Sequence, residues 1–342
     1  MKNWIKYSII AICVVTFIAG ISIYYLYNEL FIKRGEDSSI VIYINKDYNL
    51  DSVYNLLTKE RCFNVNHSVF NKFATLKNYT KNIKPGRYII NNMTVNEIVN
   101  KFRIANQDAL NFTFISTRNI GDILLNAQES FMSIDSLKLA TTIQNSMKES
   151  GFDNRTLPAL FIPNTYSMLW TTTEEELYAR LINEYKKYWN EKRIEQAKKL
   201  GLTPIQVATL ASIIDEESSY IPEYKRIAGV YINRLKKGMK LEADPTLKYA
   251  NNDFGAKRVL DRHKLIDSPY NTYMYAGLPP GPIRVPSLQA IDAVLNAENH
   301  NFIFFCANSD FSGRHLFAKT LSEHNKNAKR YRNALQQRKI YR

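Results

Sequence analysis

The sequence predicts an α+β protein carried on a single N-terminal transmembrane helix, with a small α+β subdomain followed by a larger α+β domain. Three observations predict it. The run from Tyr7 to Tyr27 carries no charged side chain, short β-branched segments alternate with helical patterns up to about Ile104, and the remainder is helix-rich with clear cap signals. The 342 residues suffice for an anchor and two or so domains, and a content of 45% hydrophobic and 12% aromatic residues suits packed cores rather than disorder. No internal repeat or low-complexity tract interrupts the chain.

The apolar run has the length that crosses a bilayer core of roughly 30 Å, for which about 20 helical residues are needed. Lys2 and Lys6 precede it, Trp4 and Tyr7 stand at its start, and Tyr24, Tyr25 and Tyr27 stand at its end, an interfacial belt with a positive inner flank. A cleaved signal peptide is the other reading. The run is long for that, and no small-x-small cleavage site follows it. Residues 1–28 are therefore expected to be a cytoplasmic stub and single-pass anchor in the inner (cytoplasmic) membrane, with everything beyond on the periplasmic or extracellular side. A net charge of +14 and a pI of about 9.4 favour anionic partners, and the densest basic run is the tail from Lys326 to Arg342. Without a zinc-finger spacing or an RNA-recognition signature, and outside the cytoplasm, no nucleic acid is expected as a partner. Cys13, Cys62 and Cys306 stand far apart with no CxxC. Cys62 and Cys306 either pair or remain buried free thiols, and the free state is the expectation.

Residues 38–106 read as the small α+β unit. Ile40 to Asn45 is strand-like, Leu50 to Leu57 helical, and Lys84-Pro-Gly-Arg-Tyr88 a turn into the strand Tyr88 to Ile90. Thr94-Val-Asn-Glu97 has capping-box spacing and opens a helix towards Phe102. By topology this unit resembles a LysM-like glycan-binding module; a spacer without a ligand is the alternative. Residues 107–342 form the larger domain. Helices are expected from Ser133 to Lys199, interrupted by Phe161-Ile-Pro-Asn-Thr-Tyr166, and a helix pair between Thr203 and Gly238. A polar, Pro-rich stretch then runs from Glu242 to Pro286, and a helix (Leu288 to Leu295), a strand (Phe302 to Cys306) and a helix from Thr320 close the chain.

The chemistry-bearing segment lies in the helix pair. Thr203-Pro-Ile-Gln206 is an N-cap with Pro at the first helical position and Gln at the third. The helix runs through Val207, Leu210, Ile213 and Ile214 into Asp215-Glu216-Glu217. At about 100° per residue those four apolar residues form one stripe, Glu217 falls within it, and Asp215 and Glu216 fall outside. A carboxyl on an apolar face is desolvated, so its pKa rises and it holds a proton near neutral pH, as a general acid must. The competing reading of Glu217 is a salt bridge to Arg226 or Arg234 of the next helix. Glu216 is expected to be an exposed charge, and Asp215 either an orienting group or a solvated acid.

Leu210-Ala-Ser-Ile-Ile-Asp-Glu-Glu-Ser218, Ile227 to Leu235, Leu241-Glu-Ala-Asp-Pro-Thr246, Ser268 to Tyr273 and Gly277 to Ile283 follow one another in an order and spacing that resembles the YceG-like family of endolytic murein transglycosylases. Phe161 to Tyr166 and His315 to Asn325 match further blocks of that family. Two places depart from it: Asp215 stands where Glu is frequent, and Ile115-Ser-Thr-Arg-Asn119 lacks a Glu-Gly pair. The resemblance implies an N-terminal anchor, a LysM-like subdomain, a catalytic domain with Glu217 as its single catalytic carboxylate, and peptidoglycan glycan strands as substrate, with peptidoglycan synthases as neighbours. It implies cleavage between MurNAc and GlcNAc to leave 1,6-anhydro ends, with no metal and no cofactor.

Substrate contacts are expected from Asp215, Asn164, Tyr166, Asn233, Arg234, Asp244, Thr246, Tyr270, Asn271, Thr272 and His315. Arg234 is either a fork for a substrate carboxylate or a surface helix charge. Asp244, Thr246, Tyr270, Asn271 and Thr272 are read as loop groups for sugar hydroxyls, and Leu278-Pro-Pro-Gly-Pro282 as a rigid wall. His315 and His324 have no HExxH context and no third ligand, so metal is not expected. Two rivals remain open: a hydrolase using Asp215 as a second carboxylate, and a non-catalytic wall-binding anchor.

Overall fold

The computed structural model describes residues 2–33, 38–62, 65–255 and 259–338. The start of the expected anchor at Met1 and the end of the basic tail at 339–342 lie outside the described residues. The chain divides into two compact units. The first runs to Phe112 and takes in Ser130–Ser133 and Ser167–Thr172; the second is the rest.

The first unit begins with α1 (Lys2–Phe31). From Trp4 to Phe31 it is long and apolar enough to cross a membrane, and its side chains there are almost all exposed. There follow β1 (Ile40–Ile44), α2 (Leu50–Lys59), α3 (His67–Leu76), β2 (Gly86–Ile90) and α4 (Val95–Arg103). Strands β1 and β2 are antiparallel, with Ile42 opposite Tyr88 and Ile40 opposite Ile90. The period-2 alternation sends Ile42, Ile44, Tyr88 and Ile90 inward, against Val53, Leu57, Phe70, Ile98 and Phe102. The capping box that opens α4 is present: Thr94 accepts from the Glu97 amide, and Glu97 accepts from the Thr94 amide. Helix α3, not expected from the sequence, is capped by Asn66 and buries Phe70 and Ala74. The unit thus has a β-α-α-β order with α4 appended.

Strands β3 (Leu110–Phe114) and β4 (Asn164–Met168) pair with each other. The second unit carries α5 (Ile120–Ser130), α6 (Ser136–Ser146), α7 (Glu174–Tyr188), α8 (Glu191–Lys199), α9 (Pro204–Glu217) and α10 (Tyr224–Lys236). It continues with α11 (Asp244–Ala250), α12 (Leu288–Leu295), β5 (Phe304–Ala307), β6 (His315–Ala318) and α13 (Leu321–Gln337). Helix α9 is central. Every residue from Val207 to Ile214 is buried, so it is enclosed on all sides rather than presenting one stripe, and it packs on α8, α10, α11 and α12. Leu210, Ile213, Ile227, Tyr231, Ile291 and Val294 form the heart of this core. Strands β5 and β6 are antiparallel, with Phe305 opposite Phe317. The stretch from Glu242 to Pro286 is not all loop. Pro245, within the first turn of α11, needs no amide partner there, and Pro245, Thr246 and Leu247 are buried.

Candidate active site

Helix α9 ends at Glu217, and the helix-pair geometry decides what meets its carboxyl. The Thr203 hydroxyl accepts from the Gln206 amide and the Gln206 side chain accepts from the Thr203 amide, which fixes the start of α9. At the other end the chain turns through Ser218 and a short 3-10 turn, Ile221–Glu223, into α10. Tyr224 donates to the Ser218 carbonyl at 3.0 Å and holds that turn closed. Two helical turns along α10, the Tyr231 hydroxyl, itself only 1% exposed, donates to Glu217 Oε1 at 2.7 Å.

Burial pushes the Glu217 carboxyl up to about 7, reinforced by the negative charge of Asp244 and opposed by the Tyr231 hydroxyl, Lys248 and Arg234. Burial and the adjacent Glu217 push the Tyr231 hydroxyl well above its ordinary range, so it remains a donor. Glu217 forms no ion pair with Arg226 or Arg234: Arg226 pairs with Glu298 and Arg234 with Glu242. One oxygen is therefore held, the carboxyl is not neutralised by a cation, and the group holds a proton near neutral pH.

Glu217 opens into a cleft of about 370 Å³ whose polar wall includes Tyr231, Arg234, Glu242, Asp244, Tyr273, His315 and His324. Of the residues expected from the sequence, the structure brings Glu217, Arg234, Asp244 and His315 together here. Arg234 is neither a surface charge nor a wholly free fork. It is 7% exposed, donates through Nε to Ile303 O and through Nη1 to Lys240 O, Leu241 O and Glu242 Oε2, and lies over the Phe304 ring. Asp244 accepts from the Tyr273 hydroxyl at 2.6 Å. His315 is clamped by Glu223, which accepts from its backbone amide and meets Nδ1 at 3.0 Å.

The other expected contacts stand elsewhere, for physical reasons. Asp215 stands outside the cleft lining and holds Ser287, the residue that caps α12, accepting from its amide at 2.6 Å and its hydroxyl at 2.7 Å. Glu216 is no surface charge: its side chain is 11% exposed and accepts from both Arg118 and Arg284. Asn233 donates to His300 O and Phe302 O, pinning the approach to β5. Thr246 and Thr272 are buried and hydrogen-bonded to each other, and Thr272 also accepts from the Ala243 amide. Asn271 is buried and braces the loop through Lys264 O and Ile266 O. Tyr270 is buried against Tyr249. Tyr166 is buried, donates to Ile162 O and stacks on Phe114. Asn164 is exposed on β4 and turns its side chain to the Thr165 amide.

Sequence reasoning missed Tyr231, Tyr273 and Glu223. Tyr231 was hidden in an apolar stripe, where its hydroxyl at the spacing of the Glu217 turn was the only signal. Glu223 has no local signal, since its partner is 92 residues away. Among the described residues no group of three or more His, Cys, Asp or Glu side chains could hold a metal ion. Cys62 and Cys306 are both free; Cys62 lies in the core of the first unit and Cys306 at the cleft.

A model described as the YceG-like family matches residues 42–330. An endolytic murein transglycosylase of Bacillus subtilis is 38% identical over 160 residues, 47% of this chain and 43% of its own. One from Streptococcus pneumoniae is 31% identical over 215 residues, 60% of this chain and 38% of its own. The chain thus spans less than half the length of these curated relatives. The crystal structure of a YceG-like protein from Listeria monocytogenes is similar with a TM-score of 0.55 and 25% identity, covering 85% of this chain and 99% of that one.

Proposed function

The chain belongs to the YceG-like family, and from that premise we propose that it is an endolytic murein transglycosylase with Glu217 as its catalytic acid. The observation that carries the proposal is a single carboxyl raised to about 7, held on one oxygen by Tyr231 and open to a cleft. In this reading Glu217 protonates the oxygen between MurNAc and GlcNAc, the C1–O bond breaks, and positive charge builds at the MurNAc anomeric carbon. The C6 hydroxyl of the same sugar bonds to C1, and the Glu217 carboxylate takes its proton. The carboxyl is restored, and a 1,6-anhydro end forms. No second carboxylate is required because the nucleophile belongs to the substrate.

The relatives named endolytic murein transglycosylases support glycan strands as the substrate class. Arg234, Asp244 and His315 are the proposed substrate contacts. The β-α-α-β order of residues 38–106 supports a LysM-like, glycan-binding role for that part, with residues 107–342 as the catalytic domain. The apolar span of α1 supports a membrane anchor; a single pass in the cytoplasmic membrane with the N-terminus inside, both units outside and peptidoglycan synthases beside nascent strands belong to the same proposal.

Asp244, a second carboxylate in the same cleft, favours one further reading: a hydrolase in which it directs water. Asp215, committed to holding Ser287 at the start of α12, does not suit that role. Mass spectrometry of peptidoglycan fragments, with Glu217→Gln as control, decides. Anhydro-MurNAc ends from the wild type alone support the transglycosylase, and reducing ends support the hydrolase. An uncut polymer from folded protein means that the cleft is not catalytic.

A further inference from the structure

Helix α1 reaches into the first unit. It runs without a break through Tyr24, Tyr25 and Tyr27 to Phe31, and its last turns are part of the first unit. Leu30 is 8% exposed in the core of that unit, Glu29 is buried, and α1 packs on α4. The Phe31 ring meets Phe73 of α3 edge-on at 6.3 Å. Leu30 lies three residues past Tyr27, about 4–5 Å along a helix, and the headgroup layer is roughly 5–8 Å deep on each side. Any membrane that α1 crosses therefore ends where this unit begins.

The surface at that junction is apolar and basic. Leu76 is 82% exposed, one turn of α3 beyond Phe73, and Phe31, which meets Phe73, and its neighbour Ile32 are 44% and 45% exposed. Lys72 and Lys33 are exposed, and Lys77 stands over the Phe73 ring at 5.4 Å. Asn71, Lys72, Thr75 and Leu76 line a shallow recess with a mostly apolar wall. Leu137 and Leu265 are each 77% exposed elsewhere. What marks this patch is its grouping of apolar side chains and lysines at the end of the apolar helix, a surface that takes apolar side chains into the headgroup boundary and sets lysines against anionic lipid.

We infer that the C-terminal end of α3, with Phe31 and Ile32, is a membrane-docking surface that seats the first unit in the anionic headgroup layer of the membrane that α1 crosses. The inference rests on the reading of α1 as a membrane span. The docking holds the first unit at the bilayer as a rigid extension of its anchor.

The test uses the full chain in phosphatidylglycerol-containing vesicles, with Cys13 and Cys306 replaced by serine and the buried Cys62 left in place. An environment-sensitive label on Leu76→Cys should be quenched several-fold more strongly by lipid-borne doxyl groups than by a neutral water-soluble nitroxide. Adding Lys72→Glu and Lys77→Glu should lower the lipid quenching at least twofold; unchanged quenching overturns the assignment to an anionic layer. A label on Ala19→Cys, midway along α1, separates the two ideas. Lipid quenching at position 19 with only aqueous quenching at 76 overturns the docking and leaves the anchor standing. Aqueous quenching at both positions overturns the anchor, and the docking with it.

Discussion

At the scale of single residues the chemistry rests on one proton. Glu217 has a folded-state pKa of about 7 against an ordinary 4.5, so the acid form is the resting form only below about 7. The rate of glycan cleavage should fall as pH rises through about 7, and Glu217→Gln should abolish cleavage at every pH. The same shift has a stability sign. A carboxyl raised in the folded state gives a contribution fully present below about 4.5 and lost as pH rises through 7. Above that, the buried anion costs on the order of 2–3 kcal/mol. Glu217→Gln should therefore be more stable than the wild type at about pH 8 and indistinguishable from it near pH 4, by thermal melting at both. Tyr231→Phe removes the hydrogen bond that works against the raised pKa. Its alkaline limb should move to higher pH while the limiting rate falls by roughly ten- to a hundredfold, the worth of a buried hydrogen bond of about 1–3 kcal/mol.

At the scale of elements, the carboxylates next to Glu217 hold helices and loops in place. Asp215 joins α9 to α12 through Ser287, and loss of such part-buried hydrogen bonds costs about 1–3 kcal/mol. Asp215→Ala should lower the melting temperature yet leave anhydro ends as the product, an outcome a hydrolase using Asp215 cannot give. Glu216→Ala leaves Arg118 and Arg284 without their shared acceptor. For Arg284, with 18% of its side chain exposed, an unpaired charge should cost roughly 3 kcal/mol, read as a lower denaturant midpoint. What the sequence disclosed follows the same line between local and distant causes. Helices α4, α9, α12 and α13 were legible because Thr94, Thr203, Ser287 and Thr320 cap them within a few residues. Helix α11 was lost in a Pro-rich stretch because its seven residues make only about two turns, and β6 because its pairing with β5 is tertiary. The family resemblance offered Glu217 as the catalytic carboxyl while an ion pair to Arg226 or Arg234 stayed open, and those two arginines pair with Glu298 and Glu242 instead. The roles of Asp215, Glu216, Thr246 and Asn271 were not legible, since each depends on partners brought in from other segments.

At the scale of the whole molecule, two hydrophobic cores among the described residues lie one in each compact unit. One gathers Ile42, Leu57, Phe70, Tyr88 and Phe102, and the other gathers Leu210, Ile213, Tyr231, Ile291 and Val294. No residue belongs to both, so apolar burial, the main source of cooperativity, is organised unit by unit. Unfolding followed by calorimetry should therefore depart from a single two-state transition, with a calorimetric enthalpy above the van't Hoff value. Phe102 is fully buried against Tyr88 at 4.6 Å between ring centroids, and truncating such a side chain costs about 3–5 kcal/mol. Phe102→Ala should lower one transition by many degrees and leave the other, together with the pH profile set by Glu217, where it was. If both transitions move together, the two cores fold as one cooperative body. In that case the cleft at Glu217 would depend for its stability on the unit that begins with α1.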